Sequence, residues 1–437
     1  MSQALYSFYG DDFTGSTDVL EGLSVAGVRG VLFLGAPSPG QLEKFNDCQA
    51  FGIAGDSRSR SPEWMDEHLP AVFERLRSFG APVVHYKTCS TFDSAPRVGS
   101  IGRAMEIGLR TFKSAFVPVV VAAPHLKRYV VFGNLFAAGG NEVYRIDRHP
   151  TMSRHPVTPM HEADLRLHLA QQTRMRVGLI DLPTLQSGLP EEALSARLKA
   201  GDQAVVFDGV ERYETDEVGR MLWGRARKAP LFAVGSSGLT YGLTSAWKAQ
   251  NAIPATQAAS PAPAVDRMLV MSGSCSPVTE RQIAHALRNG YEGIALDVGT
   301  FGTSAGARSA ATREVVSRAT RALQHTGKVV VYSSLGPLAA GTAARGDALG
   351  QAIGFMLREI VQTTGVRRVV LAGGDTSSHA VAQLGLYALT WAAATEPGAP
   401  LCRAHSDTPA LDGLELVLKG GQVGSADFFE RVRLGSR

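Results

Sequence analysis

Short apolar runs recur along this chain, and most of them run out into Gly, Asp or Ser. In the first 250 residues they are ALYSFYG (4–10), GVLFLG (30–35), AFGIAG (50–55), PVVHYK (82–87), VPVVVAA (117–123), RVGLIDL (176–182), AVVFDG (204–209) and LFAVGS (231–236). The pattern returns later as RMLVMSG (267–273), YEGIALDVG (291–299), KVVVYSS (328–334), VRRVVLAGG (366–374) and LELVLKGG (414–421). Runs of this length without polar alternation are strands buried on both faces. Segments with a 3.6-residue period lie between them: 17–27, 190–201, 276–290 and 344–365. Strands alternating with helices predict an α/β fold built on mainly parallel sheets flanked by helices.

At 437 residues the chain exceeds one ordinary core, so two domains are expected. NAIPATQAASPAPAV, residues 251–265, is rich in Ala and Pro and has no period, and Pro254, Pro261 and Pro263 rule out a helix. It reads as a linker between domains at 1–250 and 266–437. The 44% hydrophobic and 19% charged residues are those of a globular chain. The net charge of +4 is spread out, with no basic stripe for nucleic acid. The four cysteines form no CxxC pair, which points to reduced thiols and no zinc ribbon. No signal peptide and no membrane-length apolar run is present, so a cytoplasmic protein is expected.

In open α/β sheets ligands bind beyond the carboxyl ends of the strands. The first such end reads YGDDFTGSTD, with Asp11 and Asp12 adjacent and Thr14, Gly15 and Ser16 where a helix should begin. Helix-start N–H groups suit an anion, and a carboxylate can take a proton from a hydroxyl. An N-cap and a solvated turn residue would account for the pair equally well. HYKTCSTFDSAPRVGSIG (85–102) offers Lys87 for a carboxylate and Ser90 and Asp93 for hydroxyls, with Cys89 lacking a nucleophile's partners. GDSRSRSP adds Arg58, suited to a bidentate clamp or to a surface ion pair. Four histidines, His149, His155, His161 and His168, lack metal-ligand spacing; Thr158–Pro159 reads as a helix start.

Three later strand ends are rich in glycine and hydroxyls: Ser272-Gly273-Ser274, Gly373-Gly374-Asp375-Thr376 and Lys419-Gly420-Gly421. No P-loop and no GxGxxG is present, yet three such turns in one domain suit a nucleotide's phosphates.

GDDFTGSTD, YKTCSTFDS with GSIG, HPVTPM, SGSCSPVTERQ, LAGGDTS and VLKGGQVGSADFF, in this order over nearly the whole chain, resemble the four-carbon acid sugar kinase family. The resemblance implies ATP-dependent phosphorylation of a small sugar acid, with an N-terminal acid-binding domain, a C-terminal nucleotide domain and an active-site cleft between them. Within it one of the paired carboxylates is the base, Asp12 with Asp11 positioning or the two exchanged; its motifs place Thr14, Gly15, Lys87, Ser90 and Asp93 on the acid, and Arg58 joins them from its own strand end. It places Ser272, Ser274, Gly373, Gly374, Asp375, Thr376, Gly420 and Gly421 on ATP, with Asp375 on Mg²⁺. A homodimer is a further expectation. Two departures, Ser100 where the family has Asn and the divergent APHLKRYVVFGNLFAAGG, fall in the acid-binding half. The 3-oxo acids, four-carbon or branched, are the expected substrates. Two rivals remain: a metal-dependent phosphatase or phosphotransferase with an Asp nucleophile, and a non-catalytic binding protein on the same fold.

Overall fold

The computed structural model describes residues 4–155, 157–254, 261–300, 305–335 and 346–435, without the side chains of 305–308, 346, 347 and 375. Contacts group the chain into two compact units. The first comprises 1–11, 22–30 and 38–257; the second comprises 12–21, 31–37 and 258–437. The dividing line therefore passes between Asp11 and Asp12. Much of the expected linker, 255–260, lies outside the described residues.

Up to residue 250 the described strands are β1 (Tyr6–Gly10), β2 (Gly30–Phe33), β3 (Ala50–Ala54), β4 (Val83–Lys87), β5 (Val117–Val120), β6 (Arg128–Val131), β7 (Asn134–Gly139), β8 (Glu142–Arg145), β9 (Val177–Ile180), β10 (Ala204–Phe207) and β11 (Leu231–Gly235). The first unit's sheet runs β3-β1-β4-β11-β5-β10-β9, parallel throughout. β1, β4 and β11 are buried at every position, as strands covered on both faces must be. The helices Pro62–Ser78 and Ile101–Phe112 bring Phe73 and Phe112 onto Phe232 of β11. Gly108 permits that contact, because a Cβ there would lie 2.1 Å from the Phe232 ring.

β6, β7 and β8 form a separate antiparallel sheet that the sequence reading had not assigned. Its first turn puts Phe132 and Gly133 at φ 50° and 79°, a left-handed pair that suits a two-residue hairpin. Asp208 offsets the strain at Phe132 by accepting the N–H groups of Phe132 (2.6 Å) and Gly133 (2.8 Å).

The second unit contains β12 (Met268–Ser272), β13 (Glu292–Ala295), β14 (Lys328–Tyr332), β15 (Arg368–Ala372), β16 (Leu386–Glu396), β17 (Ala399–Ser406) and β18 (Glu415–Lys419). β13-β14-β12-β15-β18 run parallel; β17, β16 and the Val31–Phe33 part of β2 continue the sheet antiparallel. The β16–β17 hairpin was not anticipated. β16 is alanine-rich, has weak strand propensity and is only partly buried, and β17 is buried but broken by Pro400, Arg403 and His405. The register matters for the site: Ser272 pairs with Ala372, and Ala372 with Lys419, so three strand ends finish level.

Two local expectations are corrected. The first helix spans Phe13–Val25 and starts four residues before Thr17, because Asp12 caps it. Thr158 caps no helix; the nearby helix Leu165–Ala170 is capped by Asp164, which accepts the Arg166 N–H.

Candidate active site

The paired carboxylates at the end of β1 do different work. Asp11 is 3% exposed and takes a two-pronged ion pair from Arg58, with Nη2 at 2.7 Å and Nε at 3.2 Å. The backbone closes the same junction: Arg58 N–H donates to Asp11 O, and Asp11 N–H to Lys87 O. Asp12 is half-buried and caps the first helix. Its Oδ1 accepts the Gly15 N–H at 2.8 Å and its Oδ2 the Thr14 hydroxyl at 2.7 Å, while its carbonyl accepts from Ser16. The donors at Thr14, Gly15 and Ser16, read as an anion cradle, are thus turned onto Asp12 itself.

Lys87 ends β4 at 2% exposure and donates to Thr88 O at 2.9 Å. Beyond it the chain turns sharply, with Phe92 fully buried at φ 55°. A non-glycine residue in that region costs about 1–2 kcal/mol, and such strain collects at working loops. The turn aims Asp93, whose Oδ1 accepts from Thr91 at 2.5 Å and whose Oδ2 lies 3.5 Å from Thr158 Oγ1. Burial pushes the Asp93 carboxyl up, but Arg58, the Thr91 hydroxyl and His155 together hold it below the usual range. Ser90 is half-buried in the same turn. Gly99 (φ 62°) packs directly on Arg58, where a Cβ would lie 2.4 Å from its carbonyl oxygen. Ser100 then caps Ile101–Phe112 through the Arg103 N–H. One corner of the first unit therefore gathers Asp11, Arg58, Lys87, Ser90 and Asp93, and adds two residues not expected there, His155 and Thr158. His155 Nδ1 accepts the Thr158 N–H at 3.1 Å. Among the other histidines, His168 hydrogen-bonds Ser94 and Gln172, and His149 accepts from Thr151 and Met152.

The second unit brings its three glycine-rich turns together. A Cβ on Gly273 would lie 2.1 Å from Thr376 Oγ1, and one on Gly421 would lie 2.7 Å from Ser274 Oγ. Gly373 adopts φ 119° and its N–H bonds Lys419 O at 2.9 Å. Ser272 Oγ accepts the Ser274 N–H at 3.4 Å, and Ser274 Oγ accepts the Ser276 N–H at 3.2 Å. Ser276 caps the helix Pro277–Arg288, and Gly373 precedes the helix Gly374–Ala382. Two helix starts and bare backbone at one point are the elements of a phosphate site. Asp375 lies in the first turn of the second helix, with its side chain outside the description. A Cβ on Gly420 would make only ordinary contact, with Val423 Cγ2 at 3.6 Å. The Asp12 cap belongs to this unit, and Thr14 Oγ1 lies 4.0 Å from the place of a Cβ on Gly374.

Comparison with known proteins agrees with this geometry. Residues 6–243 match the family model for a sugar-binding N-terminal domain and residues 269–429 that for a nucleotide-binding C-terminal domain. A 3-oxo-isoapionate kinase from Paraburkholderia graminis is 45% identical over 99% of this chain and 94% of its own length. The chain belongs to the four-carbon acid sugar kinase family. Another member, a 3-oxo-tetronate kinase of Methylobacterium radiotolerans, is 34% identical over 97% of both chains. A solved Salmonella typhimurium LT2 protein, named there as a tRNA synthase, superposes with a TM-score of 0.80 at 25% identity over 99% of both chains. A solved Haemophilus influenzae protein shares the fold, with a TM-score of 0.70 at 24% identity over 98% of this chain and 99% of its own.

Lys419 closes one of the three turns that suit phosphates but has no ligand role in the sequence alone; a lysine ending a buried parallel strand beside two glycines is the signal for one.

Proposed function

We propose that this protein is an ATP-dependent kinase that phosphorylates a terminal hydroxyl of a 3-oxo sugar acid, with 3-oxo-isoapionate the first candidate. The kinase chemistry is that of its relatives, and the 45% identity over nearly the full chain supports the branched acid. One observation carries the reading: Asp12 and Thr14 belong to the same compact unit as the Gly373–Gly374 turn, with Thr14 Oγ1 4.0 Å from the Gly374 Cβ position. A base and a phosphate cradle so placed suit phosphoryl transfer, which needs alignment and charge stabilisation above all.

In this reading residues 1–250 hold the acid and residues 266–437 the nucleotide. Arg58 and Lys87 supply positive charge to the carboxylate; Asp93 and Ser90 exchange hydrogen bonds with the sugar hydroxyls. Asp11 holds Arg58 in place. Asp12 accepts the proton of the attacking hydroxyl, and its two capping hydrogen bonds fix its direction. The turns at Ser272–Ser274, Gly373–Thr376 and Gly420–Gly421 receive the ATP phosphates, for which their bare backbone leaves room. Mg²⁺ would neutralise phosphate charge. Among the described residues no cluster of three His, Cys, Asp or Glu could hold a metal by itself. The ion would be held mainly by phosphates and water, with Asp375 the acidic residue of the Gly373–Thr376 turn. A cytoplasmic location and a homodimer belong to the same proposal. Capture of Asp11 by Arg58 argues against an aspartyl-phosphate mechanism.

The test is coupled ADP release with a panel of four-carbon and branched sugar acids. Turnover is expected with 3-oxo acids and to be greatest with 3-oxo-isoapionate. No ADP release with any member would overturn the kinase reading; a preference for a non-oxo acid would overturn the substrate.

A further inference from the structure

Lys419 has no exposed surface, yet its ammonium meets only neutral acceptors: Thr279 Oγ1 at 3.1 Å, Gly420 O at 3.0 Å and Gly421 O at 3.5 Å. The Phe428 ring lies 5.9 Å away. Among the described side chains no carboxylate is bonded to it. The packed elements carry titratable groups: Glu280, Arg281, His285 and Arg288 in the helix Pro277–Arg288, Asp375 and His379 in Gly374–Ala382, Arg368 on β15, Arg403 on β17, and Glu430, Arg431 and Arg433 in Phe428–Leu434, the Asp375 side chain lying outside the described ones. Burial alone accounts for its pKa, which is pulled down to about 7.

A buried cation without a counter-ion is costly, and chains rarely keep one unless something pairs with it. The acceptors that Lys419 grips are the carbonyls of the turn lying against Ser274. Its own carbonyl holds the Gly373 N–H. The charge therefore sits directly beneath the turns assigned above to phosphate. We propose that Lys419 is a positioning residue whose counter-charge is the polyphosphate of the nucleotide, acting through the Gly420–Gly421 turn. The inference rests on the kinase reading. Its consequence is coupling: a polyphosphate stabilises the charged ammonium, so nucleotide binding above pH 7 draws a proton onto Lys419. Each unit by which the bound state raises its pKa is a tenfold preference of nucleotide for the protonated form.

The experiment is calorimetry of ADP binding to the full chain from pH 6.5 to 8.5, in buffers of different ionisation enthalpy. The wild type is expected to take up a proton on binding above pH 7, beyond the uptake of ADP itself. Lys419→Arg, charged throughout, keeps affinity within about threefold and loses the extra uptake. Lys419→Met loses the uptake and binds about tenfold more weakly or worse. The KM for the acid stays within about twofold in both variants, which a general loss of structure would not allow. Equal proton uptake in wild type and Lys419→Arg, or unchanged ADP affinity in a folded Lys419→Met, overturns the inference. The wild type and Lys419→Arg decide the matter even if Lys419→Met does not fold. A wild type that binds no ADP sinks the kinase reading and this inference together; one that binds ADP and phosphorylates an acid while failing the Lys419 tests sinks this inference alone.

Discussion

The candidate-site strand ends of the two units, those around Asp11 and Asp93 and those around Lys419, handle charge differently. In the first unit the charged groups are already partnered: Asp11 is forked by Arg58, and Arg58, Thr91 and His155 outweigh burial to keep Asp93 ionised. In the second unit two buried ionisable groups, Lys419 at a strand end and Glu21 in the first helix, are pushed toward neutrality, while Arg368 is paired with Glu415. Burial draws Lys419 down to about 7 and lifts Glu21 up to about 8, the Gly398 N–H opposing the latter shift and Asp18 adding to it. A site for a polyhydroxy acid needs side chains fixed in direction before the ligand arrives. A phosphate site needs bare backbone, and the ligand itself brings several negative charges. Under the proposed function this difference accounts for the side chains of the first corner and the glycines of the second.

The sharpest attack on this contrast is Asp12→Asn. Asn caps a helix as well as Asp does, so the Gly15 N–H keeps its acceptor and the fold persists. The lost base should lower kcat by about 10²–10⁴, with the KM for ATP little changed. Steady-state kinetics check this, and unchanged kcat would remove Asp12 from the mechanism. Next is Arg58→Met, which strips a buried carboxylate of its fork. A cost of about 3–5 kcal/mol is expected, read as a fall of about 10 °C in the first unit's melting temperature. Asp11→Asn in the same chain should restore part of it; a melting temperature that does not move would show that the fork is a surface pair in effect.

The second unit is probed by Glu21→Gln. Glu21 is 5% exposed and accepts the Gly398 N–H at 2.8 Å. Its folded pKa of about 8 lies above the unfolded value, so the folded state holds an extra proton between about pH 4.5 and 8. That contribution to stability is complete at the acid end of this window and is lost as pH rises, by about 1.4 kcal/mol per unit for a single proton. Gln keeps an acceptor and never ionises. Urea denaturation should show the variant more stable than wild type at pH 8 and similar near pH 5. Parallel pH curves for the two proteins would show that Glu21 is ionised in the fold.

These contrasts also mark where the sequence stops being readable. The parallel strands are legible because burial on both faces forbids polar residues, and the rule that ligands sit at carboxyl ends of strands then points to Asp11, Lys87, Ser272, Gly373 and Lys419. The β16–β17 hairpin and the β6–β8 sheet are not legible, since partly exposed or interrupted strands leave no continuous apolar run. The pairings are hidden for another reason. Arg58 reaches Asp11 across 47 positions, Thr158 reaches Asp93 across 65, and Lys419 reaches Thr279 across 140. No local period encodes such contacts, so a residue such as Arg58 could be seen as available for a ligand but not as already engaged. The Asp12 cap was local and readable, and an Asp three residues before Gly15 is a sufficient cue.

Glycine substitutions test the bare-backbone half of the comparison with a smaller effect. Gly273→Ala drives a methyl to 2.1 Å from Thr376 Oγ1 and 2.8 Å from its Cγ2, and a short side chain cannot swing clear. Overpacking of about 1–3 kcal/mol should raise the KM for ATP roughly tenfold and leave that for the acid alone. Gly420→Ala, with nothing nearer than 3.6 Å, is the matched control. Equal effects from the two substitutions would mean that backbone approach does not govern the nucleotide.

The smallest effect is expected at Ser100. Ser100 is 1% exposed and its hydroxyl accepts the Arg103 N–H at 3.1 Å to cap Ile101–Phe112. Ser and Asn are equivalent caps, so Ser100→Asn should shift stability by only a few tenths of a kcal/mol. Gly99, packed on the Arg58 carbonyl, fixes the turn before it whichever cap follows. The substitution is thus a change of capping atom, with the Asp11–Arg58 fork untouched, and kcat/KM for the preferred acid should hold within about twofold. A large loss of kcat/KM with unchanged melting would place residue 100 among the groups that read the acid, and the first unit's fixed corner would then extend to the start of that helix.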